Sequence, residues 1–397
     1  MTGIRKTPAG TWRATWRSPA GRQESKTFRT KRDASAFLAQ MRTTAVTGAY
    51  VSPHAGRTSF GEHARLWMAS WNTEVTTSAR DESIMRVHVL KQWEAWPLGK
   101  IDHLAVQTWI TGLSQRLSPA TIAECRRLTA AVLRSAVRNR LIAHNPCDDI
   151  RVPKRRKQDT DEQVIARDVF RHKLLPAVPD RYRGLVAVAG GAGLRWGEAA
   201  GLCADAVDLD AGRLRVIRTV VEVSGHTRFK GYPKSTAGRR TIPLPGWLVE
   251  IIRAHTVQYG LGEADLLFSN GVGGAHRRTL FRARQWRPSL VRAGLLGSVT
   301  QDDGQWVAAW SDEDGKRHRV LCATEEAAVT QVARRQFGGL RYHDLRHSYA
   351  TWLVDDGVPP NMVQRVMGHE RASTTLDLYT RRTDDADRIL RALDDAD

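Results

Sequence analysis

The sequence predicts a multidomain protein with three parts. These are a small α+β N-terminal domain (a three-stranded sheet plus one helix), an all-α middle domain, and a mixed, mainly α C-terminal domain with a small antiparallel sheet and an inserted α+β repeat. Three observations carry this. The chain has 397 residues, the length of two or three domains. A period-2 tryptophan pattern near the start gives way after residue 58 to long stretches with helical signals and almost no strand signal. The tryptophan pattern then returns 294 residues later, inside the C-terminal part. The boundaries read as 1–57, 58–153 and 154–397, with 298–335 as the inserted repeat.

From Gly10, the run Trp12-Arg13-Ala14-Thr15-Trp16-Arg17 alternates in the manner of a half-buried strand. A turn at Ser18-Pro-Ala-Gly-Arg22 leads to a second strand, Ser25 to Arg29. Thr30 can cap a helix from Lys31 to about Thr43, with Asp33 favourable in its first turn. Trp306-Val307-Ala308-Ala309-Trp310 matches the first pattern without a gap, and Gly10, Gly21, Thr30 and Ala34 pair with Gly304, Gly315, Thr324 and Ala328. Residues 4–41 hold nine Lys/Arg and two acids, whereas 298–335 hold five and seven. Only the first repeat therefore suits DNA phosphates. The acidic one is expected to meet protein: a neighbouring protomer, the first domain or a separate partner.

In the middle part, Ser59-Phe-Gly-Glu62 is a capping box opening a helix to about Trp71, and Ser118-Pro119 starts another running to about Arg140. Asn145-Pro146 terminates that stretch. Arg151 to Lys157 reads as an exposed basic linker, in which Lys154, Arg155 and Arg156 are candidate phosphate contacts. Further on, Leu214 to Val223 and Arg240 to Leu244 are strand-like and flank a basic hairpin, Gly225 to Gly238. Helices start at Trp247, Arg277 and His343.

The composition, 41% hydrophobic and 26% charged, is that of a globular chain and excludes wholesale disorder. Lys and Arg number 61 against 42 Asp and Glu, a formal net charge of +19, which calls for a polyanionic partner. Charge alone does not separate nucleic acid from an anionic membrane. No apolar run is long enough for a membrane span, and the start, MTGIRKTPAGTWR, lacks the apolar core of a secretory signal, so a cytoplasmic, nucleoid-associated protein is expected. Cys125, Cys147, Cys203 and Cys322 form no CxxC pair, and neither a zinc site nor a disulfide framework is indicated.

Four motifs follow in order. Gly191-Ala-Gly-Leu-Arg195-Trp-Gly-Glu198 sets an arginine at a helix start. Lys234 lies in the basic hairpin, in Tyr-Pro-Lys-Ser-Thr-Ala-Gly-Arg-Arg-Thr-Ile-Pro-Leu. Arg341-Tyr-His343-Asp-Leu-Arg346 puts His343 and Arg346 on one helical face. Met367-Gly-His369 is followed ten positions later by Tyr379. Each residue also has an ordinary structural reading: Arg195 with Glu198 as a surface ion pair, His343 as a cap, Tyr379 as a packing aromatic.

In this order the motifs closely resemble the tyrosine recombinase family, specifically phage-type integrases. The resemblance implies that Arg195, Lys234, His343, Arg346 and His369 activate a DNA phosphodiester and that Tyr379 attacks it. It also implies that 58–153 binds the core site and 1–57 an arm site, with Arg13, Thr15 and Arg17 as candidate arm contacts. The chemistry suits these residue types. Two forked guanidiniums can neutralise the charge that develops on the nonbridging oxygens, so neither a metal nor any other cofactor is expected. A tyrosine phenol, with a reference pKa of about 10, needs help losing its proton; His343 is the candidate base, and Lys234 the acid for the departing 5′ oxygen. Tyr342 and Tyr349 flank the HxxR motif, and it is the spacing from His369 that selects Tyr379.

The expected partners are double-stranded DNA at core and arm sites, three further copies of the chain in a tetramer, an excision or directionality factor and a host DNA-bending protein. The competing readings are a chromosome-dimer resolving recombinase, a type IB topoisomerase, and a DNA-binding protein with a dead site. With this charge, affinity for duplex DNA should fall by orders of magnitude between about 50 and 200 mM salt. A fluorescence-anisotropy titration showing salt-insensitive binding would contradict it.

Overall fold

The computed structural model describes residues 3–19, 21–47, 50–52, 54–153, 163–230 and 239–368. Lys154, Arg155, Arg156, Lys234, His369 and Tyr379 lie outside the described residues. The fold is mixed α/β, with many helices and several small antiparallel sheets, and the chain divides into two compact bodies, residues 1–157 and 158–397. No described helix is long and apolar enough to cross a membrane.

The first body begins with an antiparallel sheet of Gly3–Lys6, Trp12–Arg17 and Gln23–Phe28, the middle strand central, followed by the helix Lys31–Val46. Alternation puts Ala14 and Trp16 against Ala34 and Leu38 of the helix, all buried. The Trp16 indole N–H donates to the Tyr50 hydroxyl at 2.7 Å, and Tyr50 and Ser52 both donate to Glu24. Arg13, Thr15 and Arg17 occupy the other face, on which Arg5 stands directly opposite Arg13.

Helices follow at Phe60–Ala69, Val75–Ile84 (continued through a π-turn, Met85–Val89, to Leu90–Trp93), His103–Leu113 and Pro119–Arg138. The side chains of Ser59, Asp102 and Ser118 each accept the N–H three residues on, which explains where three of these helices begin. Trp93, Phe60, Met85 and Leu128 fill the core. Asp81, buried at the helix interface, accepts from Arg127 at 2.7 Å and from Arg80, tying Val75–Ile84 to the longest helix. The longest helix stops at Arg138, before Asn145-Pro146. Asn145 instead pins the following segment, donating to the Ala130 carbonyl and accepting from Cys147 N–H.

In the second body the buried helix Asp180–Gly191 packs against Gly246–Tyr259 and Tyr342–Asp355. The stretch Leu214 to Val223, expected as one strand, is two. Arg213–Val216 lies between Val207–Asp208 and Arg240–Pro243, while Thr219–Val223 pairs with His226–Lys230. At the break, Arg218 makes two 2.7 Å bonds to Asp205, which turn the chain out of the first sheet.

Residues 298–335 form a sheet of Ser298–Asp302, Gln305–Ser311 and Arg317–Cys322 plus the helix Glu325–Arg335. Trp306 pairs with Cys322 as Trp12 pairs with Phe28, at an offset of 294 in both strands. The turns match, with Ser18 N–H to Arg22 O and Asp312 N–H to Lys316 O, and so do the caps, where Thr30 and Thr324 accept from Asp33 and Ala327. The first hairpin differs by one residue: Trp12 opposes Lys6, but Trp306 opposes Gln301, five positions before it rather than six.

This second repeat is part of the body's core through Ala308, Ala328, Val329 and Val332. Buried Arg287 donates to the carbonyls of Ala333, Gln336 and Gly338, and Trp286 to that of Leu340, so the repeat is bonded to the segment leading into the HxxR helix.

Gly297, at φ +55°, sits where a Cβ would lie 2.4 Å from Val332 Cγ1 and 2.8 Å from the Ala309 carbonyl. Gly297→Ala should lower stability by at least the roughly 1–2 kcal/mol of the left-handed conformation. Thr324→Ala, which removes only a cap, should cost about 1 kcal/mol. Urea denaturation followed by tryptophan fluorescence checks that order.

Candidate active site

Arg195 is the residue before the short helix Trp196–Ala200, and Glu198 caps that helix by accepting the Arg195 N–H at 2.9 Å. The approach to it needs Gly193. Its φ is +63°, and a Cβ there would lie 2.5 Å from the Tyr349 ring. The Gly193 carbonyl accepts from the Arg346 guanidinium, which comes from the helix Tyr342–Asp355. The two arginines, 151 positions apart in sequence, therefore meet at one turn.

They meet again at the end of the helix Pro360–Met367. Arg346 donates its second Nη to the Met367 carbonyl, and Arg195 donates Nη2 to the Gly368 carbonyl at 3.2 Å. Gly368 ends that helix with φ +60°, the left-handed conformation glycine adopts without penalty, and the next residue is His369. Each guanidinium spends only part of its five N–H donors on these bonds.

A single carboxylate faces both arginines. Glu198 is 6% exposed. It accepts from Arg195 Nη1 at 2.9 Å and, through both oxygens, from Arg240 at 3.0 and 2.8 Å. Burial alone would raise its pKa, but the Arg240 hydrogen bonds and charge, then Arg195 and Arg346, bring it down to about 2. Arg346 is 3% exposed, and burial followed by the repulsion of Arg195 lowers its pKa to about 9, which still leaves it charged at pH 7. Three guanidiniums share one carboxylate, so the cluster carries an excess positive charge that favours an anion with several acceptor oxygens.

His343 is on the same helix, its outer surface exposed and its ring 4.9 Å from that of His347. The protein around its inner side, then His347, Arg346 and Arg195, push its pKa down to about 4, against the pull of Asp344. The imidazole is therefore neutral at pH 7 and able to accept a proton.

The hairpin that leads to Lys234 is held at its base. Thr219–Val223 lies so close to Trp196–Ala200 that a Cβ on Gly197 would be 2.5 Å from the Val220 carbonyl. Glu222 accepts from Arg277 and from the Arg278 N–H at 3.0 Å, pinning the hairpin to the start of the helix Arg278–Phe281.

The structure thus brings Arg195, His343 and Arg346 together. The two alternative tyrosines are buried: the Tyr342 hydroxyl donates to the Leu185 carbonyl at 2.7 Å, and burial, then Glu198, raise its pKa; burial also raises that of Tyr349, whose ring covers Gly193. The sequence reading missed Arg240 and Arg5. Arg240 stood in the Arg-Arg-Thr-Ile-Pro-Leu run with no hint of which arginine turns inward. Arg5 joins Arg13 and Arg17 only through strand register.

The profile of the phage integrase family matches residues 171–386, more than half of the chain. The chain is similar to the prophage phiRv2 integrase of Mycobacterium tuberculosis, 27% identical over 98% of this chain and 94% of the relative. Among solved structures it resembles the Tn1549 transposon integrase in complex with transposon right end DNA (TM-score 0.60, 18% identity, 84% of this chain and 98% of that one). It also resembles a lambda integrase dimer bound to a COC′ core site (TM-score 0.53, 15% identity, 96% and 95%). At these identities the two structures establish a shared fold.

The lowered pKa of His343 has a stability consequence. Between pH 6.5 and 4 the unfolded chain binds the proton that the folded site refuses, so stability falls as pH falls through that window. His255 and His276, also lowered by burial, act in the same sense. His343→Gln should therefore make the slope of urea midpoint against pH shallower between 6.5 and 4. An unchanged slope would refute the assignment.

Proposed function

The chain belongs to the phage integrase family, and from that premise we propose how its residues carry out site-specific DNA recombination. It is a tyrosine-type recombinase of the integrase kind. Arg195 and Arg346 bind the nonbridging oxygens of the scissile phosphodiester and stabilise the charge that develops on them. The Tyr379 hydroxyl attacks phosphorus, its proton taken by His343, while His369 donates a hydrogen bond to the phosphate. The phosphorus–5′ oxygen bond breaks, and the leaving oxygen gains a proton from Lys234. The 3′-phosphotyrosine conserves the bond energy, so a 5′ hydroxyl from another duplex can reverse the step and rejoin the strands without ATP.

The observation that carries this reading is the convergence of Arg195 and Arg346 on the carbonyls of Gly193, Met367 and Gly368. It leaves two partly used guanidiniums beside a neutral imidazole, one residue before His369. The likeness to a prophage integrase runs over nearly the whole chain, N-terminal repeat included, which favours integration over chromosome-dimer resolution.

In this reading residues 1–57 bind arm sites, 58–153 core sites, and 154–397 catalyse, with four copies working on two duplexes. Lys154, Arg155 and Arg156 contact the phosphate backbone. Arg5, Arg13, Thr15 and Arg17 form the arm-side face. Arg5 directly opposite Arg13 is a like-charge pair that costs stability until an anion lies across it. A directionality factor and a host DNA-bending protein would join for excision and synapsis.

The decisive experiment traps covalent adduct on a denaturing gel, using a nicked duplex that carries the end sequence of the genetic element encoding the chain. Wild type should give a 3′-linked adduct in EDTA, Tyr379→Phe none, and Arg195→Ala a single-turnover rate about 10²–10³-fold lower. Adduct from Tyr379→Phe would overturn the choice of nucleophile. Separately, Arg13→Ala should weaken duplex binding and reduce the magnitude of the salt slope by about one. An unchanged slope would remove Arg13 from the interface.

A further inference from the structure

Arg240 is among the most deeply buried charges described in the second body, 8% exposed overall and 2% in its side chain, and the catalytic roles above leave it unused. It lies six positions after Lys234 in sequence and begins the strand Arg240–Pro243. Among the described residues its guanidinium donates to two places. Nη1 and Nη2 hold both oxygens of Glu198 at 3.0 and 2.8 Å, and Nε donates to the Val366 carbonyl at 2.7 Å.

Those two acceptors lie behind two different parts of the site. Glu198 is the carboxylate that binds the Arg195 guanidinium and caps the Arg195 turn. Val366 immediately precedes Met367 and Gly368, whose carbonyls receive Arg346 and Arg195. One planar fork thus spans the Arg195 turn and the end of the helix Pro360–Met367 while anchoring the strand that follows Lys234. A guanidinium does this because its donors are rigidly disposed in a plane; an ammonium offers a point charge on a flexible stem.

We propose that Arg240 is a positioning residue for strand cleavage, acting through Glu198 and the Val366 carbonyl to hold Arg195 and the segment entering His369 in one frame. The proposal rests on the recombinase reading above. Arg240 touches neither phosphate nor nucleophile in this account. Its charge also keeps Glu198 ionised: the groups facing that carboxylate are Arg195, Arg240 and Arg346, with Tyr342 raised by its charge, and without Arg240 the burial that raises the Glu198 pKa loses its largest opponent. A protonated Glu198 would hold the Arg195 guanidinium far less firmly.

The test uses the full chain and the nicked duplex described above. Equilibrium binding, single-turnover adduct formation from pH 5.5 to 8, and thermal melting are measured for wild type, Arg240→Met, Arg240→Lys, Glu198→Gln and the Arg240→Met/Glu198→Gln double variant. Arg240→Met should bind the duplex within about threefold of wild type yet cleave at least tenfold more slowly at pH 7. Relative to wild type, which shares His343, its rate should drop further as pH falls, because Glu198 now takes up a proton. Arg240→Lys should lie between the two, and the double variant should cleave no more slowly than the worse single.

Wild-type rates from both Arg240 variants would overturn the proposal. So would a pH-independent loss in Arg240→Met that adds fully to that of Glu198→Gln, since Arg240 would then not act through the carboxylate. If Arg240→Met melts below the assay temperature, Arg240→Lys decides alone: a slower, more acid-sensitive rate with retained binding supports the proposal, and a rate and pH profile equal to wild type overturns it. Failure of the wild type itself to form adduct would instead refute the recombinase reading, before any variant is compared.

Discussion

The buried carboxylate of Glu198 is the interaction around which the site is assembled. Taking a carboxylate out of water costs several kcal/mol, and the cost is offset only when opposite charges and directional donors occupy its oxygens. Here Arg240 takes both oxygens and Arg195 adds a third bond together with its backbone N–H. The helix Trp196–Ala200 is five residues long and has little stability of its own. Its position follows from Glu198 on one side and from the close approach to Val220 that Gly197 permits on the other. Arg195 inherits that position, and the carbonyls of Gly193, Met367 and Gly368 bring Arg346 to meet it.

Surplus charge sets this cluster apart from a structural ion-pair network. A structural ion-pair network balances its charges, whereas this one sets three guanidiniums against one carboxylate in low-dielectric surroundings. Burial and the repulsion of Arg195 loosen the Arg346 proton, and burial, then His347 and the same two arginines, keep His343 neutral. In the proposed reaction the scissile phosphate would add negative charge where the field is most positive, so binding and the stabilisation of developing charge would draw on one preorganised field.

The two repeats show one scaffold put to two uses. Strand register in the second hairpin, turn hydrogen bonds and threonine caps coincide, because these depend on glycines at positive φ and on hydroxyls at cap positions that both copies retain. What differs is the sheet face away from the helix. Arg13, Thr15 and Arg17 stand in the first where Val307, Ala309 and Ser311 stand in the second, and Val307 is 3% exposed against the exposed Arg13. The second repeat shares the core of the second body, and Arg287 clamps the carbonyls that follow its helix. Its acidic residues Asp302, Asp303, Glu313, Asp314, Glu325 and Glu326 stay exposed while the helix buries Ala328, Val329 and Val332.

Local chemistry in the sequence determined a good deal of this protein. The strand Trp12–Arg17, the caps at Thr30, Ser59 and Ser118, the 294-residue offset, and helix starts within one residue of Trp247, Arg277 and His343 were all legible, because alternation, caps and turns act over a few residues. So was the motif set, since the order Arg195, Lys234, His343, Arg346, His369, Tyr379 is itself a linear pattern. Tertiary structure alone decided the break between Arg213–Val216 and Thr219–Val223, because it depends on Arg218 meeting Asp205 thirteen positions away. It also chose Arg240 over Arg239 as the inward arginine and turned Tyr342 into a donor to Leu185. Contacts between residues tens to hundreds of positions apart leave no periodicity in the chain, and which of two adjacent arginines is buried depends on whether a carboxylate from another element waits there to compensate its charge.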